Sequence, residues 1–112
     1  MKNLNVLKKH GDSFKEEMNK ISHDILSLEK ELKKGCFPEF QFDIYQLELK
    51  IVWGTKDRRL CILPYDSQIL KPLIETKIEI RKKIHPYLDV FISNLIDYAT
   101  GIINPELKLL KG

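Results

Sequence analysis

The stretch TKIEIRKKIHPYLDVFISNLIDYAT, residues 76–100, decides how the rest of the chain is interpreted. Thr76 followed by Glu79 forms a capping-box pattern, so we expect a helix to start at Lys77. The apolar pattern keeps its phase across Pro86, which favours one long helix with a proline kink. The apolar residues recur every three or four positions and form one helical stripe: Ile80, Ile84, Leu88, Phe91, Leu95 and Ala99.

A second helix is predicted over residues 13–34, because Ser13 and Glu16 form another capping box and Gly35 supplies a stop. Its apolar residues alternate steps of four and three from Phe14 onward, as in a coiled coil. We favour packing of this helix within its own domain. A homodimer is the alternative, through a seam of Met18, Ile21, Ile25, Leu28 and Leu32 within residues 14–32.

Residues 1–12 show no sustained period, and Gly11 with Asp12 separates them from the predicted helix. We therefore interpret residues 1–12 as an N-terminal arm. Charged residues at helix-pair spacing, such as Glu29 with Lys33, are expected to lie on the solvated surface.

Between the two helices the apolar period changes to two, which predicts antiparallel strands. The phase slips between Ile44 and Tyr45, and we interpret the slip as a β-bulge because no Gly, Asn or Pro favours a turn there. Residues 54–57 predict a hairpin loop and residues 58–63 the returning strand. Residues 69–75 predict a short third strand, which Pro72 restricts to the sheet edge.

This order predicts an α+β fold, α-β-β-(β)-α. A small antiparallel sheet would carry the N-terminal helix and the long, Pro-kinked C-terminal helix on one face. A chain of 112 residues can bury a core of its own, so we expect one domain over residues 13–103. Residues 104–112, after the helix stop around Gly101, are interpreted as a C-terminal tail.

Composition and cysteine usage exclude several classes of protein. With 43% hydrophobic and 31% charged residues, the chain is neither disordered nor membrane-like. The N-terminus has no apolar segment of a signal peptide. Cys36 and Cys61 fit neither a disulfide framework nor a metal site, so we expect reduced thiols and a cytoplasmic location.

No pattern indicates catalysis, a metal or a cofactor. Cys36 follows a helix C-terminus, where the helix dipole disfavours a thiolate, and Cys61 lies inside a predicted strand. The histidines lack a second ligand at zinc-binding spacing, and the glycines form no phosphate loop. We expect His85, next to Pro86, to bond a carbonyl that the kink frees. The expectation is a protein without enzymatic activity.

The basic residues are the remaining candidates for a functional site. Two groups, one on the hairpin and one on the first turns of the long helix, would bind phosphates or an acidic partner if they lay side by side. The net charge of +3 is mild for a nucleic-acid-binding domain. The candidate residues for binding a polyanion or a partner are Lys56, Arg58, Arg59, Arg81, Lys82, Lys83 and His85.

Residues 45–50, YQLELK, with Arg59 on the next predicted strand, resemble the central strands of RelE-like ribosome-dependent endoribonucleases. The resemblance implies an RNA-cleaving toxin. The long C-terminal helix and the modest charge depart from those small toxins.

By elimination, we expect a small intracellular interaction module that binds a protein partner or complex. It would be of the adaptor or inhibitor type that mobile elements carry. Nucleic-acid binding through the basic residues is the alternative hypothesis, and an RNA-cleaving toxin is the third.

Overall fold

The computed structural model describes residues 2–54 and 56–103. These residues form an α+β fold, as predicted, although with more strands and a longer first helix. Three 3-10 turns, at Tyr45–Leu47, Leu73–Glu75 and His85–Tyr87, connect or interrupt the main elements. In chain order the helices and strands are α1 (Lys2–Lys34), β1 (Phe40–Ile44), β2 (Leu49–Gly54), β3 (Arg59–Pro64), β4 (Lys71–Pro72), α2 (Ile78–Ile84) and α3 (Leu88–Ile103).

The four strands form one antiparallel sheet in the order β1-β2-β3-β4. Phe42 pairs with Ile51, which in turn pairs with Ile62, so these side chains point to the same face. The predicted edge strand is confirmed, but β4 is only two residues long, Lys71–Pro72. Pro72 has no N–H group to extend the ladder, and the chain turns away directly after it.

Both helical segments cover this one face of the sheet, as predicted. Ile25 from α1, Ile51 from β2 and Phe91 from α3 are fully buried in the shared core. Trp53 is also buried, and its indole Nε1–H donates a hydrogen bond to the carbonyl of Phe37 at 3.1 Å. A single core therefore holds α1, the sheet and α3 together.

The predicted proline kink is present as a 3-10 turn, His85–Tyr87, between α2 and α3. Ile84 before the turn and Leu88 after it are both buried, so the apolar stripe keeps its phase. The predicted cap at Thr76 is wrong. Thr76 is buried, and its Oγ1–H donates to the carbonyl of Leu73 at 2.7 Å in the preceding turn, while Lys77 occupies the N-cap position of α2 without a capping side chain.

The predicted start of the first helix at Ser13 is also wrong, because α1 begins at Lys2. Gly11 lies in the helix interior, where a glycine costs only about 1 kcal/mol relative to alanine. That cost is too small to end a helix whose later turns are held by the core. Residues 2–12 are therefore helical, and residues 2–17 are all exposed to solvent.

The predicted β-bulge at Ile44 and Tyr45 is wrong as well. The 3-10 turn Tyr45–Leu47 separates β1 from β2, and the N–H of Glu48 donates to the carbonyl of Tyr45 at 3.2 Å. Glu48 takes a left-handed conformation, with φ of 54°, that normally favours glycine. The residue types did not predict this turn, because a glutamate occupies the position where a glycine is expected.

Candidate functional site

Helix α1 runs parallel to the α2–α3 segment, and polar pairs connect the two. Arg81 Nη1 donates to Ser22 Oγ at 2.7 Å, and further along both helices His85 Nε2 lies 2.8 Å from Asp24 Oδ2. The contacts advance in the same direction along both helices. An apolar groove lies beyond them, where α1 and α3 form its two walls.

This groove has a volume of about 390 Å³. Its apolar surface comes from both walls and from the segment after α1, and Ile96 stands half exposed at its side. Asp24, Ser27 and Glu31 supply the polar groups on the α1 wall. The apolar lining residues are Leu28, Leu32, Phe37, Ile92, Leu95 and Ile96.

The N-terminal part of α1 is a second exposed apolar surface, which we call the overhang and define as residues 2–17. Leu4, Leu7 and Phe14 are 45%, 66% and 51% exposed. With Gly11 they continue, toward the N-terminus, the alternation of three and four that runs on to the buried Met18. The overhang therefore carries the same stripe as the core-facing part of α1 but leaves it uncovered.

The predicted dimer seam lies in the core of its own domain. Met18, Ile21, Ile25 and Leu32 are buried, and Leu28 is partly buried against the core. Packing within the domain, the interpretation that the sequence favoured, is what the structure shows. The seam is therefore not an exposed dimer surface.

The basic residues of the hairpin are engaged with α1. Arg58 donates from Nη2 to the carbonyl of Lys33, one of the unpaired carbonyls at the end of α1. Arg59 donates from Nε to Glu29 Oε2 at 3.2 Å, and the same oxygen accepts the backbone N–H of Leu60 at 2.8 Å. Glu29 is buried, so the expectation that it lies on the solvated surface is wrong.

Most basic residues of the long helix are engaged with α1 too. Besides Arg81, Lys82 Nζ lies 3.2 Å from a carboxylate oxygen of Glu17. His85 pairs with Asp24, so the expected bond to a carbonyl freed by Pro86 is wrong. Lys56 and Lys83 have no hydrogen bond or ion pair within the described part of the chain.

The two groups of candidate cations contact different turns of α1. The hairpin group contacts α1 at Glu29 and Lys33, whereas the helix group contacts it between Glu17 and Asp24. The nearest of these contact residues, Asp24 and Glu29, are five positions apart, roughly 7.5 Å along the helix axis. Sequence reasoning missed three polar partners on α1: Glu17, Ser22 and Asp24. Nothing in the sequence distinguishes them from other polar residues on the surface of a helix.

The helix-free face of the sheet holds a further cavity, with a volume of about 290 Å³. Cys61 lines it beside Val52 and Leu63. Burial raises the pKa of the Cys61 thiol, which disfavours a reactive thiolate. Across residues 2–54 and 56–103 we find no cluster of side chains that could hold a metal ion. No helix in these ranges has the length and apolarity needed to cross a membrane.

Comparisons with protein-family models, with curated proteins and with solved structures find no match for this chain. Part of the resemblance to RelE-like endoribonucleases rested on residues 45–50 forming one strand. Tyr45–Leu47 is a 3-10 turn, so the resemblance loses that support.

Proposed function

We propose that this chain is a protein-interaction module without enzymatic activity, which binds a helix of a protein partner in the groove between α1 and α3. The groove supports the proposal because its wall is apolar and long enough to receive one face of an amphipathic helix, a common mode of peptide recognition. The class of adaptor or inhibitor proteins, and a cytoplasmic location, are parts of the same proposal.

Nucleic-acid binding has less support from the contacts of the basic residues than from their positions in the sequence. Five of the seven candidate cations already bond to α1: Arg58, Arg59, Arg81, Lys82 and His85. Binding phosphates through these residues would require breaking bonds that hold the hairpin and α2 in place. An electrostatic footprint for nucleic acid normally consists of clustered cations that are free to contact phosphates.

Site-specific photo-crosslinking in cells tests the proposal. A benzophenone side chain is placed at Ile96, which is 49% exposed in the groove, or at the control position Val90, which is 48% exposed on the same helix. The two positions are six residues apart and so face different sides of α3. We expect a discrete protein adduct from position 96 and none from position 90. Equal labelling at both positions, or none at 96, would count against the groove as a binding site.

A further inference from the structure

We infer that the groove between α1 and α3 receives the overhang, residues 2–17, of a second copy of this chain. The inference rests on the proposed function, because it assumes that the groove binds a helix, and it names that helix. The overhang is a helix whose apolar stripe is exposed, and the groove is an apolar surface without an occupant in the described part of the chain.

The overhang is unable to reach the groove of its own molecule. It is continuous with α1, and α1 itself forms one wall of the groove. Phe14 and Asp24 are ten residues apart on this helix, which separates them by roughly 15 Å along its axis. Leu4 lies a further 15 Å or so away by the same measure. Only another molecule can therefore bring an overhang into this groove.

The two surfaces match in length. Ten residues separate Leu4 from Phe14, so the exposed stripe extends over roughly 15 Å. The α1 wall of the groove runs from Asp24 to Leu32, eight residues or about 12 Å. Leu4, Leu7 and Phe14 are three and seven positions apart, a spacing that anchors an amphipathic helix in an apolar groove.

The charges beside the two surfaces also match in sign and spacing. Lys8 and Lys15 follow directly after Leu7 and Phe14, so both lie along one border of the exposed stripe. Asp24 and Glu31 lie on the α1 wall of the groove. The two lysines are seven residues apart, and so are the two carboxylates, so both pairs can meet at once along two helical turns.

The carboxylates of Asp24 and Glu31 remain available to a second molecule, although each has a contact within its own chain. Asp24 bonds His85 through one oxygen and has a side chain that is 41% exposed. Glu31 pairs with Lys34 at 3.7 Å on the helix surface, where such pairs contribute little. Because each chain carries both a groove and an overhang, two copies can exchange them reciprocally.

The mass of the full chain in solution, measured by light scattering, tests this inference. At about 100 µM we expect a dimer, since even a Kd near 10 µM leaves most of the chain associated. Leu7→Asp in the overhang and Ile96→Asp in the groove should each weaken association by roughly tenfold or more, because a carboxylate is buried against apolar surface. The matched controls Leu26→Asp and Val90→Asp, at similarly exposed positions outside both surfaces, should stay dimeric.

Mixing the two variants distinguishes a specific fit from general damage. The L7D chain keeps an intact groove and the I96D chain keeps an intact overhang, so an equimolar mixture should form heterodimers through one restored contact. A mixture that stays monomeric, or single variants that dimerise as well as the unmodified chain, would overturn the inference.

A monomeric unmodified chain would also overturn the inference. The photo-crosslink at position 96 then shows whether the proposed function fails with it. An adduct with a different protein leaves the proposed function standing and assigns the groove to that partner. No adduct would remove the proposed function together with the inference.

Discussion

Glu29 is the residue that most directly joins α1 to the hairpin. It is only 7% exposed, and one carboxylate oxygen accepts both the Leu60 N–H at 2.8 Å and the Arg59 Nε–H at 3.2 Å. β4 pairs only with Cys61 and Ile62, so the Leu60 N–H has no strand to bond. The carboxylate therefore takes the place of a strand at the open edge of β3.

Replacing Glu29 with alanine should lower the free energy of unfolding by about 1–3 kcal/mol, because the buried Leu60 N–H loses its acceptor and the partly exposed Arg59 loses its ion pair. Urea unfolding measures the change. Glu31→Ala is the matched control, since Glu31 lies on the same helix and pairs with a lysine at the exposed surface. Its effect should stay within about 0.5 kcal/mol. Equal losses for both variants would show that the bonds of Glu29 add nothing.

Tyr65 offers a pH-dependent test. Desolvation of the phenol and its hydrogen bond to Asp43, 2.8 Å long, raise the pKa of Tyr65 from 10.0 to about 12. Because the folded pKa is the higher one, this contribution to stability is complete below pH 10 and is lost as the pH rises through about 12. Ultraviolet titration should show late ionisation of Tyr65, and Asp43→Asn should make it ionise earlier. A titration curve that Asp43→Asn leaves unchanged would contradict this assignment.

At the scale of elements, the apolar periods predicted both helices and the strands, but the local end signals were less reliable. Ser13 lies inside α1, so its capping box failed as a marker of a helix start. The box at Thr76 predicted a start within one residue of Ile78, although Thr76 bonds backward to Leu73 and does not cap the helix. A capping pattern records only that a cap is chemically possible. Whether the residues before the pattern are also helical depends on the neighbouring turns and on packing. The pattern carries no information about either.

The overhang gives an element-scale test through Gly11. A Cβ atom at this position would meet nothing within 4 Å, so Gly11→Ala adds helix propensity without a clash. We expect about 1 kcal/mol of local stabilisation, seen as roughly fivefold slower amide hydrogen exchange in residues 5–15. The unfolding midpoint of the whole domain should change little, because the overhang is outside the core.

Gly35→Ala is the contrasting variant. A Cβ atom there would clash with the ring of Phe37, so that ring must move away from its partly buried position. We expect a loss of about 1–3 kcal/mol in the stability of the domain. Faster amide hydrogen exchange in the overhang of Gly11→Ala would contradict the local geometry described above. An unchanged free energy of unfolding for Gly35→Ala would contradict it as well.

At the scale of the whole molecule, one core joins α1, the sheet and α3. The sequence predicted this arrangement because both helices and the strands have one apolar side each. The sequence did not predict that most of the basic side chains bond to α1. Arg59 and Glu29, for example, are 30 positions apart in sequence, so their contact depends on the tertiary fold. The groove was missed for the same reason, because its two walls are distant in sequence.

A shared core implies one cooperative unfolding transition. Ile25→Ala should cost about 2–5 kcal/mol, and circular dichroism and the fluorescence of the buried Trp53 should report the same midpoint. Leu26→Ala is the control, because the neighbouring Leu26 is exposed and should change stability by less than about 0.5 kcal/mol. Separate midpoints for the two probes would mean that α1 and the sheet unfold independently.

The bonds from α1 to α2 have a consequence for synthesis. Ser22 meets Arg81 and Asp24 meets His85, across 59 and 61 positions of sequence. At translation rates of about 5–20 residues per second, α1 leaves the ribosome roughly 3–12 s before its partner helix exists. During that interval the core side chains of α1, such as Ile25, lack the part of the core that α2 and α3 supply. We therefore expect chaperones that hold apolar segments to bind the nascent chain, and slow codons before residue 78 to lengthen its exposure.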